Sequence, residues 1–175
     1  MSVISSERVT DSARLAPGCI HELFEAQVDA RPEAPAVVCG DVQWSYAELE
    51  SRANRLAHRL REIGIRPGAL VGLFLPRSEK SVVAILATLK AGAAYVPIDP
   101  AMPAERVRHI VEQAELSVVL TEQSLAEQAT SRCGVTQVLV DSEADHHNDE
   151  PVPRLARKDT EVAPEDLCYG IYTSG

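Results

Sequence analysis

The sequence predicts an α/β fold in which helices flank a parallel sheet. Short apolar runs bounded by glycine or proline alternate with amphipathic stretches of about 10–15 residues, which is typical of parallel strands joined by helices. The chain has 175 residues, of which 45% are hydrophobic, so it can bury the core of one domain. Only 4% are aromatic, and the core is therefore expected to consist of Ala, Val, Leu and Ile.

The start of the chain predicts a leader, a helix and a pair of strands. Residues 1–17 are expected to form a flexible leader. Apolar residues at helical spacing then predict a helix that ends before Pro32, because the residue before a proline disfavours the helical conformation. Two apolar runs, 36–39 and 42–44, flank a Gly-Asp pair and predict two short strands around a tight turn.

A second helix has clear start and stop signals. Ser45 and Glu48 have the spacing of a capping box, in which each side chain satisfies a free backbone donor. Gly64 is the expected stop. The helix is expected to turn one apolar face to the core, formed by Leu49, Ala53, Leu56, Leu60 and Ile63. A continuous apolar run at 70–75 then predicts a strand buried on both faces.

The same alternation continues through the rest of the chain. Helices are expected from about 78 to 92, 104 to 114 and 122 to 130, and strands at 94–98, 117–120, 137–140 and 167–172. Crossovers between such parallel strands are right-handed. Ligands of such sheets bind outside the carboxyl ends of the strands.

The charge of the chain argues against two classes of partner. The net charge is -9, which disfavours nucleic acid and anionic membranes. Between 141 and 166 there are nine acidic and three basic residues, so this stretch alone carries about -6. It is expected to be a solvated surface loop, and a docking surface for a basic partner is the alternative. A metal site at its His146-His147 pair is disfavoured, because scattered carboxylates define no geometry.

Cysteine usage and hydropathy indicate a cytoplasmic protein. The four cysteines form no CxxC pair and are expected to be free, buried thiols in a reducing compartment. The longest uncharged apolar stretch, 81–89, is too short to cross a bilayer. No metal site is predicted.

Read from residue types alone, one segment is a candidate binding site. Thr173, Ser174 and Gly175 follow a predicted buried strand, and small residues there let backbone N–H groups approach phosphate oxygens. The same residues are also ordinary turn formers. No spacing predicts a catalytic constellation, so no catalytic residue is assigned. The corner at 89–100 is expected to be structural, with Asp99 capping the next segment or binding a ligand.

Three segments, in the right order, resemble the core motifs of one family. Residues 44–49 look like the first core motif of adenylation domains. Residues 89–99 match the second motif almost letter for letter, and 167–175 are similar to the opening of the third. Over residues 18–175 the chain thus resembles the N-terminal part of an amino-acid adenylation domain of the nonribosomal peptide synthetase type, within the adenylate-forming, AMP-binding superfamily. The second motif favours amino-acid activation over acyl-CoA ligases and luciferases.

The resemblance implies a reaction. Such domains use ATP and Mg²⁺ to convert an amino acid into an aminoacyl adenylate, and they pass the acyl group to the phosphopantetheine thiol of a carrier protein. By the family pattern, Thr173, Ser174 and Gly175 open the loop that holds the β- and γ-phosphates. Motif residues such as Tyr95 and Asp99 look structural. MbtH-like proteins bind many such domains and are a plausible partner.

The resemblance also implies that the sequence stops inside the phosphate-binding loop. A 175-residue piece of this kind is expected to be inactive alone, as part of a longer, nicked or split enzyme. Because Met1 lies close to the start of the similarity, a free-standing or initiating enzyme is expected. Two alternatives stay open: an acyl- or aryl-acid ligase of the same superfamily, and a truncated, non-catalytic interaction module. The amino acid, the carrier protein and the pathway are not predicted.

Overall fold

The computed structural model describes residues 18–142, 152–156, 160 and 162–172. In these residues five α-helices and six strands follow one another in the predicted alternation. Their bounds are α1 Ile20–Ala30, β1 Pro35–Cys39, β2 Val42–Ser45, α2 Tyr46–Glu62, β3 Leu70–Phe74, α3 Glu79–Lys90, β4 Ala94–Ile98, α4 Ala104–Gln113, β5 Val118–Thr121, α5 Ala126–Cys133 and β6 Thr136–Leu139. A 3₁₀ turn, Gln123–Leu125, precedes α5.

Four of the strands form one parallel sheet in the order β4-β3-β5-β6. Strands β1 and β2 pair antiparallel in a separate hairpin. The strand order reverses direction between β3 and β5, and the carboxyl ends of all four strands lie along one edge. The prediction of an α/β fold with a parallel sheet flanked by helices is confirmed.

Two buried clusters, one on each face of the sheet, explain why the helices cover both sides. Successive residues of β3 divide between them: Leu73 packs with α2 and α3, whereas Phe74 packs with α4 and α5. The first cluster includes Leu56 and Leu60 of α2, and the second includes Ile110 of α4. This alternation follows from the two-residue period of a strand, which sends neighbouring side chains to opposite faces.

The capping box predicted for α2 is present. The Glu48 backbone N–H donates to Ser45 Oγ at 3.2 Å, and the Ser45 N–H donates to a Glu48 carboxylate oxygen at 2.7 Å. The expectation that Ile63 belongs to the buried face is wrong, since Ile63 is 47% exposed. The reason is that the helix ends at Glu62, so Ile63 is already the C-cap.

The expected tight corner between α3 and β4 is also present. Gly92 has a φ of +84°, which favours glycine, and its carbonyl accepts from the Gly68 N–H at 2.9 Å. A Cβ at this position would lie 3.0 Å from the carbonyl oxygen of Thr160. Backbone from three parts of the chain therefore meets closely at this corner.

The predicted strand at 167–172 is replaced by an extended segment with a single parallel bridge, between Tyr95 and Tyr169. Apolar side chains on one side of it are exposed, namely Leu167 at 63%, Tyr169 at 49% and Ile171 at 62%. Within the described residues only the two hydrogen bonds that flank this bridge join the segment to β4, which is fewer than a strand requires.

Part of the acidic stretch is not the solvated loop that the sequence predicts. Residues 152–156 lie against α1 and α2, where Asn54 Nδ2 donates to the Val152 carbonyl at 3.1 Å. His58 Nε2 lies 2.9 Å from the Pro153 carbonyl, and Leu155 packs on the first cluster. Local composition misses this packing because it depends on α1 and α2, far away in sequence. His146-His147 lies outside the described residues.

Two further expectations concern thiols and membranes. All four cysteines are free, but Cys39 is exposed, contrary to the expectation of burial, because it ends the outer hairpin strand β1. The helices among the described residues include none that is both long enough and apolar enough to cross a membrane.

Candidate functional site

The carboxyl edge of the sheet is where a ligand is expected, and the 167–172 segment runs towards it. Tyr95 holds the segment on both sides of the bridge: its N–H donates to the Cys168 carbonyl at 3.1 Å, and its carbonyl accepts from the Gly170 N–H at 2.9 Å. The segment thus runs parallel to β4, which places Tyr172 beside the carboxyl end of β4. The predicted phosphate-binding residues Thr173, Ser174 and Gly175 lie outside the described residues.

Tyr172 is held by a charged side chain. Arg106 Nη2, in the first turn of α4, donates to the Tyr172 carbonyl oxygen at 3.3 Å. The Tyr172 side chain packs against the second buried cluster. The sequence analysis assigned no role to Arg106.

The loop that follows β4 is rigidly braced. Asp99 Oδ1 accepts from the Ala101 N–H at 2.8 Å and so stabilises the turn after β4, whereas the N-cap of α4 is Pro103. Arg132 Nη1 of α5 donates to the carbonyls of Pro100 and Met102, at 2.9 and 2.8 Å. The start of α4 is therefore tied to α5 across the carboxyl edge.

An ion cluster that the sequence did not predict lies further along this edge, near the reversal of strand order. Lys80 Nζ contacts carboxylate oxygens of Glu122 and Asp141, both at 2.8 Å. Hydrogen bonds from Lys80 and Ser124 hold the pKa of Glu122 below its ordinary value. Burial raises the pKa of Asp141, but hydrogen bonds from Lys80 and the Gln123 N–H outweigh this, and the net pKa is lowered. The three residues are each other's partners, which indicates a structural clamp.

A second ion network lies under the amino-terminal helices, with Lys90 buried and Asp29 at its exposed end. Lys90, only 3% exposed, contacts the carboxylates of Glu25 and Glu50. Arg154 extends it, with Nε 2.8 Å from Glu50 and Nη2 2.7 Å from Asp29. The network joins α1, α2, α3 and the 152–156 segment. Lys90 stands inside the second motif, so part of that motif serves to hold the helices together.

A cavity lies away from the carboxyl edge. It has a volume of about 360 Å³ and lies at the amino ends of the strands, where its lining includes Cys19, His21, Gly92, Asp166 and Cys168. Because ligands of parallel sheets bind at the opposite edge, this cavity is not the predicted phosphate site. Across the described part of the chain, no group of three or more His, Cys, Asp or Glu side chains could hold a metal ion.

Comparison with known proteins defines the class to which this fold and its carboxyl edge belong. The model of the AMP-binding enzyme family matches residues 24–175. The chain belongs to the AMP-binding enzyme family, as the motifs predict.

Relatives within the family are nonribosomal peptide synthetases. One of the linear gramicidin synthase proteins of Brevibacillus parabrevis is 46% identical over 159 residues, which are 90% of this chain and 2% of that protein. Tyrocidine synthase 2 of the same organism is 42% identical over 171 residues, 94% of this chain and 4% of that protein. The chain therefore spans only a small part of the curated relatives that it matches.

A solved structure agrees with the sequence comparison. The nonribosomal peptide synthetase FmoA3 matches with a TM-score of 0.78 at 34% identity, over 90% of this chain and 16% of that chain. Its AMPPNP-bound form matches with a TM-score of 0.79, over 94% of this chain and 17% of that chain. The predicted resemblance to a nonribosomal peptide synthetase is confirmed by sequence and by fold.

Proposed function

We propose that this chain is the N-terminal part of an amino-acid adenylation domain, spanning residues 18–175 after a leader at 1–17. In the proposed reaction an amino-acid carboxylate oxygen attacks the α-phosphorus of ATP. The bond to the β-phosphate oxygen breaks, and aminoacyl-AMP and pyrophosphate form. A carrier-protein phosphopantetheine thiol then attacks the acyl carbon and displaces AMP. The proposed setting is the cytoplasm, with an MbtH-like protein as a helper.

The observation that carries the proposal is the path of the 167–172 segment in a chain of this family. It runs parallel to β4 towards the carboxyl edge, and Thr173, Ser174 and Gly175 follow next in the sequence. Hydroxyl and backbone N–H donors suit phosphate oxygens, and such donors stabilise the charge that develops during phosphoryl transfer. Arg106 adds a positive charge beside Tyr172.

The described residues offer no metal cluster, so Mg²⁺ enters the proposal only as the cation that accompanies ATP. When bound, ATP supplies the activated phosphorus and the leaving group. The described residues act by support: Tyr95 and Arg106 hold the stem of the proposed loop, and Asp99 and Arg132 brace the neighbouring turn.

The proposal is tested with the full-length protein that carries this chain, by ATP–pyrophosphate exchange against a panel of amino acids and a panel of aryl and fatty acids. We expect exchange with one or a few amino acids. Ser174→Ala should lower kcat/KM for ATP about tenfold or more, because a hydrogen bond to a charged group is lost. Ser131→Ala, an exposed serine near the end of α5, is the matched control and should leave exchange unchanged.

The panel also separates the alternatives. Exchange with aryl or fatty acids alone would replace the proposal by an acid ligase of another specificity. Absence of exchange with every acid, together with absence of ATP binding, would indicate a non-catalytic interaction module.

A further inference from the structure

We propose that the cavity at the amino ends of the strands is a ligand site of its own, for a small molecule that carries a protonated amine on an apolar body. The residues that line this amino-edge cavity include Cys19, His21, Gly92, Asp166 and Cys168. The cavity lies across the sheet from the carboxyl edge, so the inference goes beyond the adenylation reaction and is independent of the phosphate site.

The amino-edge cavity has the size and the apolar lining of a small-molecule site. Its volume of about 360 Å³ is within the range of about 300–1,000 Å³ in which proteins bind small ligands. Ile20 and Leu167 line it although they are 54% and 63% exposed, and Leu89 and Val162 add further apolar surface. Large apolar side chains that stay exposed around a concave surface favour the binding of an apolar group.

The walls of the cavity are held in place by close backbone contacts. The Gly68 N–H donates to the Gly92 carbonyl at 2.9 Å, and a Cβ on Gly92 would lie 3.2 Å from Val162 Cγ2. The corner between α3 and β4 therefore packs directly against the 162–168 segment, which forms the other wall. Such a cavity is formed by the fold itself and needs no rearrangement to accept a ligand.

A fixed carboxylate determines the charge of the proposed ligand. Asp166 Oδ2 accepts from the Ala163 N–H at 2.8 Å, and the Asp166 N–H donates to the Ala163 carbonyl at 3.0 Å. These two hydrogen bonds close a turn that holds the Asp166 side chain at the cavity wall. An ionised carboxylate has about four acceptor positions, so the bond from Ala163 leaves it able to accept from an ammonium group.

The charges around the cavity also favour a cation over an anion. Among the described residues that adjoin the lining residues in sequence, Glu22 and Glu165 are acidic. Arg66 is the exposed basic neighbour, whereas Lys90 is buried and paired with two carboxylates. Together with Asp166, the acidic groups outweigh Arg66 and should attract a positively charged ligand.

The test uses the Cys168 thiol as a local reporter in the full-length protein. Methyl methanethiosulfonate converts a thiol into a mixed disulfide with release of methanesulfinate, and a ligand in the cavity should block its access to Cys168. The probe is N,N-dimethylphenethylamine, for which we expect a Kd of about 1 mM. At about 10 mM probe the labelling rate of Cys168, followed by mass spectrometry, should then fall about tenfold. The exposed Cys39 in the hairpin is the internal control and should keep its rate.

Two comparisons test the class of ligand. Hydrocinnamate has a similar apolar body and the opposite charge, and it should slow labelling of wild-type protein less than about twofold because Asp166 repels it. In Asp166→Asn, which keeps an acceptor for the Ala163 N–H, the amine should slow labelling only about twofold, because a charged hydrogen bond is lost. Glu165→Gln changes an exposed neighbour outside the lining and is the matched control, which should keep the full effect.

Three results would overturn the inference. The first is that the amine leaves the labelling of Cys168 in wild-type protein unchanged. The second is that the amine and hydrocinnamate slow it equally, since the cavity would then not select a cation. The third is that Glu165→Gln loses as much of the effect as Asp166→Asn. Absence of pyrophosphate exchange would reject the adenylation reaction alone, because the labelling needs neither ATP nor turnover.

Discussion

Removal of the buried charge at Lys90 should destabilise the fold more than removal of the more exposed charge at Lys80. Lys90→Met keeps most of the aliphatic stem and deletes only the ammonium group. The Lys90 side chain is 2% exposed, and its carboxylate partners Glu25 and Glu50 are 19% and 13% exposed. The substitution therefore leaves two poorly hydrated carboxylates with one cation fewer.

The size of the effect follows from burial and from the charges that remain. Breaking a buried ion pair by removing one partner costs about 3–5 kcal/mol. Arg154 still lies 2.8 Å from Glu50 and 3.9 Å from Glu25, which favours the low end of that range. We expect a loss of about 3 kcal/mol in the free energy of unfolding. For a domain of this size that is a fall of about 6–12 °C in Tm.

Urea unfolding at pH 7 and thermal unfolding of the purified protein measure this loss. Lys80→Met is the matched control, because Lys80 also lies on α3 and also contacts two carboxylates, but its side chain is 30% exposed. Its removal should cost only about 0.5–1 kcal/mol. A second arm pairs Lys90→Met with Glu50→Gln, and the double variant should lose less stability than the two single losses added together.

Two outcomes would refute the reasoning. If Lys90→Met and Lys80→Met lose the same stability, burial does not determine the energy of these ion pairs. If the losses of Lys90→Met and Glu50→Gln simply add, the two side chains are not energetically coupled, and the contact between them contributes nothing.

The remaining predictions concern acid stability and one glycine. The pKa values of Glu122 and Asp141 are lowered in the folded state, so their contribution is present at neutral pH and is lost as pH falls from about 5 through the folded pKa values. Lys80→Met should therefore make the free energy of unfolding depend less on pH between pH 7 and about pH 3.5, as measured by urea unfolding. Gly92→Ala should cost about 1–2 kcal/mol or more, because a positive φ is combined with a carbonyl oxygen 3.0 Å from the new Cβ. Gly40→Ala should cost less, since its Cβ would meet no atom within 4 Å.

A different result would refute each of these two predictions. A pH profile that is the same with and without Lys80 would show that the lysine does not set the carboxylate pKa values. Equal losses for the two glycine variants would show that only the backbone conformation matters and that the close approach at the corner has no cost.

Local signals in the sequence were enough to predict most of the helices and strands. Ser45 and Glu48 satisfy each other's backbone donors, Gly64 and Gly92 take positive φ values at helix ends, and the apolar run at 70–75 occupies the sheet interior. Each of these depends on residues within a few positions of one another, so composition and spacing carry the information. The motif resemblance then predicted the family correctly.

Contacts between distant parts of the chain could not be predicted in this way. Glu25, Glu50, Lys90 and Arg154 are separated by up to 129 positions, and only packing of three helices and the 152–156 segment brings their charges together. In the sequence each is an ordinary charged residue, and the last stands in a stretch that composition assigns to solvent.

The candidate site, too, has a part that the sequence predicts and a part that depends on contacts between distant residues. The sequence by itself determined that Thr173, Ser174 and Gly175, whose residue types suit phosphate binding, follow an apolar segment. Only the tertiary structure decided that this segment lies beside β4 with a single bridge and that Arg106 of α4 holds Tyr172. The physical reason is that residue types are local, whereas a hydrogen bond between residues 66 positions apart exists only after the sheet and its helices have packed.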